Sequence, residues 1–208
     1  MKLIGMLDSP YVRRVAITLA ALDIPHEREQ LSVFRHFDAF REINPIVKAP
    51  TLITDDGTLL VESTLITDYL DGEVAPERRL TPADGAARLR VLHLVGFALT
   101  AADKAVSIVY EQQLRPQDKQ HQPWLERVSG QLHAAFAALE AAAAMRNAAS
   151  PAPWLVGERM TQADITVAVA WRFTQHLLPG TVDAATYPSL AALSARAEAL
   201  PIFVGAPL

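Results

Sequence analysis

The chain has 208 residues and contains no cysteine. It therefore has no disulfide, no thiolate metal site and no cysteine nucleophile of its own. Its six histidines show none of the close spacings, such as H-E-x-x-H, that bind metal ions. The sequence predicts a protein without a metal site.

A basic surplus and long apolar runs are also missing. The net charge is -4 and the isoelectric point is about 5.8, which argues against nucleic acid as the main partner. Charges interrupt the alanine-rich stretches before the roughly 18 apolar residues that a membrane span needs. The first residues show no signal-peptide pattern. We expect a cytoplasmic protein without a membrane partner.

The first 70 or so residues alternate between strand and helix patterns. Leu3 to Leu7 is a short apolar run typical of a buried strand. Ser9-Pro10 then provides a capping hydroxyl and a first-turn proline, which favour the start of a helix. Residues 26–31 are polar for a strand and suit a sheet edge. Asp55-Asp56-Gly57 predicts a hairpin turn.

Together these patterns predict the order β-α-β-α-β-β-α and then a change of architecture. After a charged, proline-containing segment the strand signals stop, and helical patterns follow at 83–110, 123–146, 161–176 and 188–200. The predicted fold is an α/β domain at residues 1–74, a linker at 75–82 and an all-α helical bundle at 83–208.

Four local patterns, in order along the chain, resemble the glutathione transferase family, and its bacterial serine-type members in particular. They are the helix start Ser9-Pro10-Tyr11-Val12-Arg13-Arg14-Val15, the segment Asn44 to Leu52, the run Leu60-Val61-Glu62-Ser63, and Gly157 to Ile165. The resemblance implies a thioredoxin-like first domain and a homodimer. Thr161 and Asp164 of the fourth pattern also fit a capping box, which we interpret as structural.

The resemblance implies a catalytic role for Ser9, as hydrogen-bond donor to the sulfur of glutathione. The residues alone allow a plainer alternative, an ordinary helix cap. Tyr11 is a second candidate hydroxyl. Arg13-Arg14 is interpreted as a surface or sheet-end pair rather than a catalytic one.

The resemblance further implies where glutathione binds. A cis bond between Ala49 and Pro50 would present backbone groups to the cysteinyl part, and Glu62 and Ser63 would receive the γ-glutamyl end. Val47 departs from the glycine that is commoner in the family. For the glycine carboxylate the candidate cations are Lys48, His36 and Arg35, in that order. The alternatives are an ordinary proline loop and a simple capping pair.

The electrophile pocket would be lined by Tyr11, Tyr110 and Trp171, although aromatic residues at helical spacing also form plain core. The implied function is conjugation of the glutathione thiolate to small hydrophobic electrophiles in detoxification, with possible peroxide reduction. The missing cysteine argues against the disulfide-reducing branch, and the absent serine-serine-cysteine start argues against the isomerase branch. The alternative is a non-catalytic binding or regulatory protein of the same fold.

Overall fold

The structure, a computed structural model, describes residues 1–150 and 152–208. These residues form two compact units. The first comprises Met1–Ala83 together with Leu200–Leu208, and the second comprises Asp84–Ala199.

The first unit contains the predicted order of elements. In chain order they are β1 (Lys2–Ile4), α1 (Pro10–Ala21), β2 (Glu27–Glu29), α2 (Phe37–Ile43), β3 (Thr51–Ile53), β4 (Leu59–Val61) and α3 (Ser63–Gly72). The mixed α/β prediction for this part of the chain is confirmed.

The four strands form one sheet in the order β2-β1-β3-β4. Strands β1 and β2 are parallel, whereas β1–β3 and β3–β4 are antiparallel. The charged strand β2 lies at an edge, as its polarity predicted. Apolar residues of α1, including Val12, Val15 and Leu19, are fully buried, as expected of a helix packed on a sheet.

The second unit is helical, as predicted. Its helices are α4 (Gly85–Val109), α5 (Gln122–Ala149), α6 (Gln162–Leu177) and α7 (Pro188–Glu198), and a π-helical turn, Tyr110–Leu114, follows α4. The predicted capping box forms at the start of α6. Asp164 there accepts hydrogen bonds from the amides of Thr161 and Leu155, both at 2.8 Å.

Helix α4 with its π-helical turn meets, by length and composition, the criterion for a membrane span. The segment Gly85–Leu114 has a mean hydropathy of 1.4 in its most apolar window, and 44% of that window is buried inside the protein. Core helices of soluble proteins meet the same criterion, and α4 contacts both α5 and α6. These contacts are those of a core helix.

The C-terminal segment returns to the first unit rather than completing the helical one, in contrast to the predicted helical domain of 83–208. A last short helix, α8 (Pro201–Val204), contacts α1. Phe203 is fully buried, and the Arg13 guanidinium lies 5.8 Å from the centre of its ring. Arg13 Nε also donates to the Ala206 carbonyl at 2.8 Å.

The interpretation of Arg13-Arg14 as a surface pair is wrong. Each residue is only 1% exposed. A long side chain with a cationic head is rarely buried unless partners compensate it. Here the partners come from distant parts of the chain, the C-terminal segment for Arg13 and the start of α3 for Arg14.

Candidate functional site

Three of the segments predicted to hold glutathione flank one row of paired residues across the sheet. The row consists of Ile4, Thr51 and Val61, in neighbouring strands β1, β3 and β4. Ser9 follows β1 after a short turn, Pro50 directly precedes Thr51, and Glu62 directly follows Val61. The strand pairing therefore brings these segments to the same end of the sheet.

Ser9 is the N-cap of α1 and is partly exposed. Its Oγ accepts a long hydrogen bond, 3.4 Å, from the Val12 amide. Ser9 therefore does cap the helix, as the plainer alternative predicted. A hydroxyl that accepts one hydrogen bond still has its own proton to donate, so capping and a contact with sulfur are compatible.

The loop before β3 contains the cis peptide bond between Ala49 and Pro50 that was predicted. Asn44, which is buried, holds this loop in place. Its Nδ2 donates to the Lys48 carbonyl at 3.2 Å and to Thr51 Oγ1 at 2.9 Å. Val47 has a φ of 48°, a left-handed conformation that is unfavourable for a β-branched residue. A glycine at this position would adopt the same conformation without strain.

Gly5 makes the close approach of these segments possible. Its φ is 140°, and a Cβ placed there would lie 2.6 Å from Val12 Cγ2 and 3.0 Å from the Ala49 Cβ. Helix α1 and the loop before Pro50 therefore both approach the backbone of Gly5.

Glu62 and Ser63 lie at the start of α3. Glu62 has a φ of 74°, and its carboxylate accepts from the Thr64 amide at 3.0 Å. Glu62 therefore caps α3 through its side chain. The backbone strain at a non-glycine residue marks the position as one held by its surroundings.

Arg14 reaches from α1 to this helix start. Its Nη1 donates to Ser63 Oγ at 3.1 Å and to Thr64 Oγ1 at 3.3 Å. Its Nε and Nη2 are buried and have no hydrogen-bond partner among the described residues. Burial lowers the pKa of Arg14 to about 10, although the nearby Glu62 carboxylate and Tyr11 act in the opposite direction. The guanidinium is therefore charged at neutral pH.

The candidate cations differ in their surroundings. Lys48 is exposed, and no described residue pairs with its ammonium group. His36 is exposed, and its Nδ1 accepts a hydrogen bond from the Ser32 amide at 3.1 Å. This nitrogen is therefore engaged within its own loop. A role for either residue in binding a carboxylate stays a prediction.

The aromatic candidates from the helical unit also differ. Tyr110 is 46% exposed, whereas Trp171 is 4% exposed. The Trp171 ring packs edge-to-face on Phe136 and Tyr187, with centroids 5.2 and 5.9 Å apart. Its geometry is that of a core residue, and the pocket role of Tyr11, Tyr110 and Trp171 stays a prediction.

Two family models match the chain, and they cover most of it. One describes the N-terminal domain of glutathione S-transferases and matches residues 3–78, and the other describes their C-terminal domain and matches residues 122–196. The chain belongs to the glutathione S-transferase family.

Individual relatives agree with this assignment. The chain is 30% identical to the uncharacterized GST-like protein YibF of Escherichia coli (strain K12) over 141 residues, which are 67% of this chain and 68% of that protein. It is 26% identical over 201 residues to the probable maleylacetoacetate isomerase 2 of Drosophila melanogaster, covering 91% of this chain and 80% of the relative.

A solved glutathione S-transferase from Methylobacillus flagellatus KT, with glutathione bound, has the same fold. It superposes with a TM-score of 0.88 at 26% identity, over 100% of this chain and 99% of that one. The two-domain glutathione S-transferase fold predicted from the sequence is confirmed.

Three residues that shape this candidate site were not singled out in the sequence analysis. Gly5 carried a detectable signal, because a glycine inside a strand pattern often marks a close backbone approach. Asn44 and Arg14 were seen only as parts of motifs. Their partners, Thr51 and Ser63, cannot be assigned to them from local sequence.

Proposed function

We propose that this protein is a serine-type glutathione transferase, in which the Ser9 hydroxyl donates a hydrogen bond to the thiolate of bound glutathione. The observation that carries the proposal is the position of Ser9. It caps α1 with a long hydrogen bond, is partly exposed, and lies at the end of the sheet where the Pro50 and Glu62-Ser63 segments also lie. The glutathione bound to the solved relative supports the choice of ligand.

The energetics suit one hydroxyl assisted by a helix terminus. A thiol with a pKa of about 8.5 needs a decrease of roughly 2 units, about 2.7 kcal/mol, to be mostly thiolate near neutral pH. A hydrogen bond to a charged group contributes about 1.5–3 kcal/mol. The start of α1 adds about 0.3–1 kcal/mol through its dipole.

The other parts of glutathione would lie along the same end of the sheet. The backbone of Ala49 and Pro50 pairs with the cysteinyl residue, Glu62 and Ser63 bind the γ-glutamyl end, and Lys48 or His36 binds the glycine carboxylate. The bound thiolate attacks an electrophilic carbon of a small hydrophobic substrate, so that a carbon–sulfur bond forms. In a substitution the leaving group departs with its bonding electrons, and the thiol proton passes to solvent.

Peroxide reduction is an additional proposed activity of the same thiolate. The sulfur attacks the peroxide oxygen, and a second glutathione from solution completes the reaction to an alcohol, water and glutathione disulfide. Two thiols are oxidised while one peroxide bond is reduced.

The test is calorimetric titration of the protein with glutathione, combined with a spectroscopic pH titration of the bound thiol. We expect Ser9→Ala to raise the pKa of the bound thiol by about 1–2 units and to lower stability by about 1 kcal/mol. Ser9→Gly separates the two roles, because glycine at an N-cap costs only a few tenths of a kcal/mol while the hydroxyl is still lost. Ser9→Thr retains both the helix cap and the hydroxyl donor.

An unchanged thiol pKa in Ser9→Gly would show that Ser9 only caps the helix. No binding up to millimolar glutathione would refute the transferase proposal as a whole. Binding without turnover of chlorodinitrobenzene or cumene hydroperoxide would favour a binding or regulatory protein. Turnover of maleylacetoacetate would favour the isomerase branch, for which the Drosophila melanogaster relative described above is named.

We further propose a cytoplasmic homodimer. Leu89 and Leu92 are exposed one turn apart on α4, at 68% and 47%, and a second copy of the chain would cover them. We expect sedimentation to give a dimer and Leu89→Glu to shift it towards monomer. A monomer in the unmodified protein at micromolar concentration would contradict this.

A further inference from the structure

Asp8 is a charged residue in the turn that joins β1 to α1. The Ser9 amide donates to the Met6 carbonyl at 3.2 Å and closes this turn. Leu7 inside the turn is buried, whereas Asp8 is exposed. The Asp8 carboxylate has no hydrogen bond or ion pair among the described residues, and the helix is capped by Ser9 instead. The charge of Asp8 is therefore free to act on a molecule bound beside the turn.

A favourable interaction with the dipole of α1 is the simplest role for this carboxylate. That role needs no ligand. The same position, however, places a negative charge next to the residue that would contact the sulfur. Consecutive Cα atoms are about 3.8 Å apart, so the carboxylate lies within about 10 Å of the Ser9 hydroxyl in any side-chain conformation. Charges at such a distance still interact at moderate ionic strength.

The surrounding charges leave the effect of Asp8 largely uncompensated. The other charged residues placed by the sequence and the strand pairing around this end of the sheet are Arg14, Glu29, Lys48 and Glu62. Arg14 donates to hydroxyls of α3, Glu29 pairs with Lys2 at 2.9 Å, and Glu62 accepts from an amide of α3 at 3.0 Å. None of these contacts involves Asp8. It is the charged residue next to Ser9 in the chain, and it has no ion-pair partner among the described residues.

We propose that Asp8 selects the charge of the electrophile, favouring neutral or cationic electrophiles over anionic ones at the sulfur beside Ser9. The inference rests on the proposed function and narrows the substrate class of that site. An anionic electrophile would meet two negative charges, the thiolate and Asp8, whereas a cationic one is attracted by both. The same carboxylate opposes formation of the thiolate, so the bound thiol has a higher pKa than it would have without Asp8.

The test removes the charge of Asp8 while keeping the size of its side chain. Asp8→Asn is compared with the wild type and with Asp23→Asn. Asp23 is an exposed acid just beyond the other end of α1, about 18 Å away along a helix of this length. The electrophiles are three amides of 4-chloro-3-nitrobenzoic acid that carry an ethyl, a 2-aminoethyl or a 2-carboxyethyl group, so that only the charge of the tail differs. The pKa of the bound glutathione thiol is measured by ultraviolet absorbance, which requires no turnover.

We expect Asp8→Asn to reduce the preference for the cationic over the anionic amide, expressed as the ratio of kcat/KM values, about three- to tenfold. The ratio is measured at a pH where the bound thiol is fully ionised, and the neutral amide is then almost unaffected. The pKa of the bound thiol should fall by about 0.3–0.8 units. Both differences should shrink in about 0.5 M sodium chloride, because an exposed charge is screened. Asp23→Asn should change neither quantity.

An unchanged charge preference in Asp8→Asn would overturn the inference and leave the proposed function intact. Changes of the same size in Asp23→Asn, or changes that salt does not reduce, would overturn it as well, since they would reflect net charge or altered structure. If the wild type binds glutathione but turns over none of the amides, the thiol pKa decides, and no decrease in Asp8→Asn rejects the inference. Failure of the wild type to bind glutathione would refute both the inference and the proposed function.

Discussion

At the scale of single residues, the backbone of Gly5 decides whether the site can assemble. Helix α1 and the loop before Pro50 both approach it, and a side chain at this position would occupy the space of Val12 and Ala49. A residue with no side chain thus sets the distance between the segment that carries Ser9 and the segment that carries Pro50.

Gly5→Ala should lower the free energy of unfolding by about 2–4 kcal/mol, through overpacking and a strained positive φ. Gly57→Ala is the matched control, because Gly57 has a φ of 86° but nothing within 4 Å of an added Cβ. Strain alone should cost about 1 kcal/mol there. Urea unfolding of both variants measures the difference, and equal losses would show that the close approach at Gly5 is unimportant.

At the scale of elements, the start of α6 organises the helical unit. Asp164 is buried and joins the capping box to the preceding loop through the Leu155 amide. Burial raises the pKa of Asp164, while the hydrogen bonds from Leu155 and Thr161 oppose the shift. The capping residues were recognisable in the sequence because a box is local, spanning one turn. The contact with Leu155 depends on the loop conformation and was not predicted.

Asp164→Ala should lower the free energy of unfolding by about 2–4 kcal/mol, because two amides would lose their acceptor in a buried place. Asp84→Ala serves as comparison, since Asp84 caps α4 through the Ala87 amide at 2.8 Å in an exposed setting. That change should cost about 1 kcal/mol. Thermal or urea unfolding gives both values, and a loss in Asp164→Ala no larger than in Asp84→Ala would refute the interpretation.

At the scale of the whole molecule, the C-terminal segment packs in the first unit, together with the N-terminal residues. The segment Leu200–Leu208 belongs to the first unit, and Phe203 and Ala206 are buried in it. Arg13 binds this segment through the Ala206 carbonyl, and Arg28 donates to the Gly205 carbonyl at 2.9 Å. The C-terminal residues therefore stabilise the unit that contains the candidate glutathione site.

Phe203→Ala should destabilise the protein by about 3–5 kcal/mol, the usual cost of removing a buried aromatic side chain. Val204→Ala, one residue later on α8 and 64% exposed, should change stability by less than about 0.5 kcal/mol. Unfolding curves of the two variants provide the measurement. A small effect of Phe203→Ala would mean that the C-terminal segment does not stabilise the first unit.

Most of the fold could be predicted from the sequence, whereas the side-chain contacts of the candidate site could not. The strand and helix order, the hairpin at Asp55-Asp56-Gly57 and the capping box are encoded by residues a few positions apart, so local propensity and periodicity determine them. The absence of cysteine likewise decided, without any structure, that a reactive thiol must belong to a ligand.

Tertiary structure alone decided the rest, because it depends on partners distant in the chain. Nothing near Arg13 or Arg14 in sequence shows that one is buried against Ala206 and the other against Ser63. The strand register that brings Ile4, Thr51 and Val61 into one row is likewise a long-range pairing. The sequence by itself determined the order of the elements and excluded a cysteine of the chain as a reactive group, whereas long-range packing decided which side chains meet, since burial and hydrogen-bond geometry arise only when the elements come together.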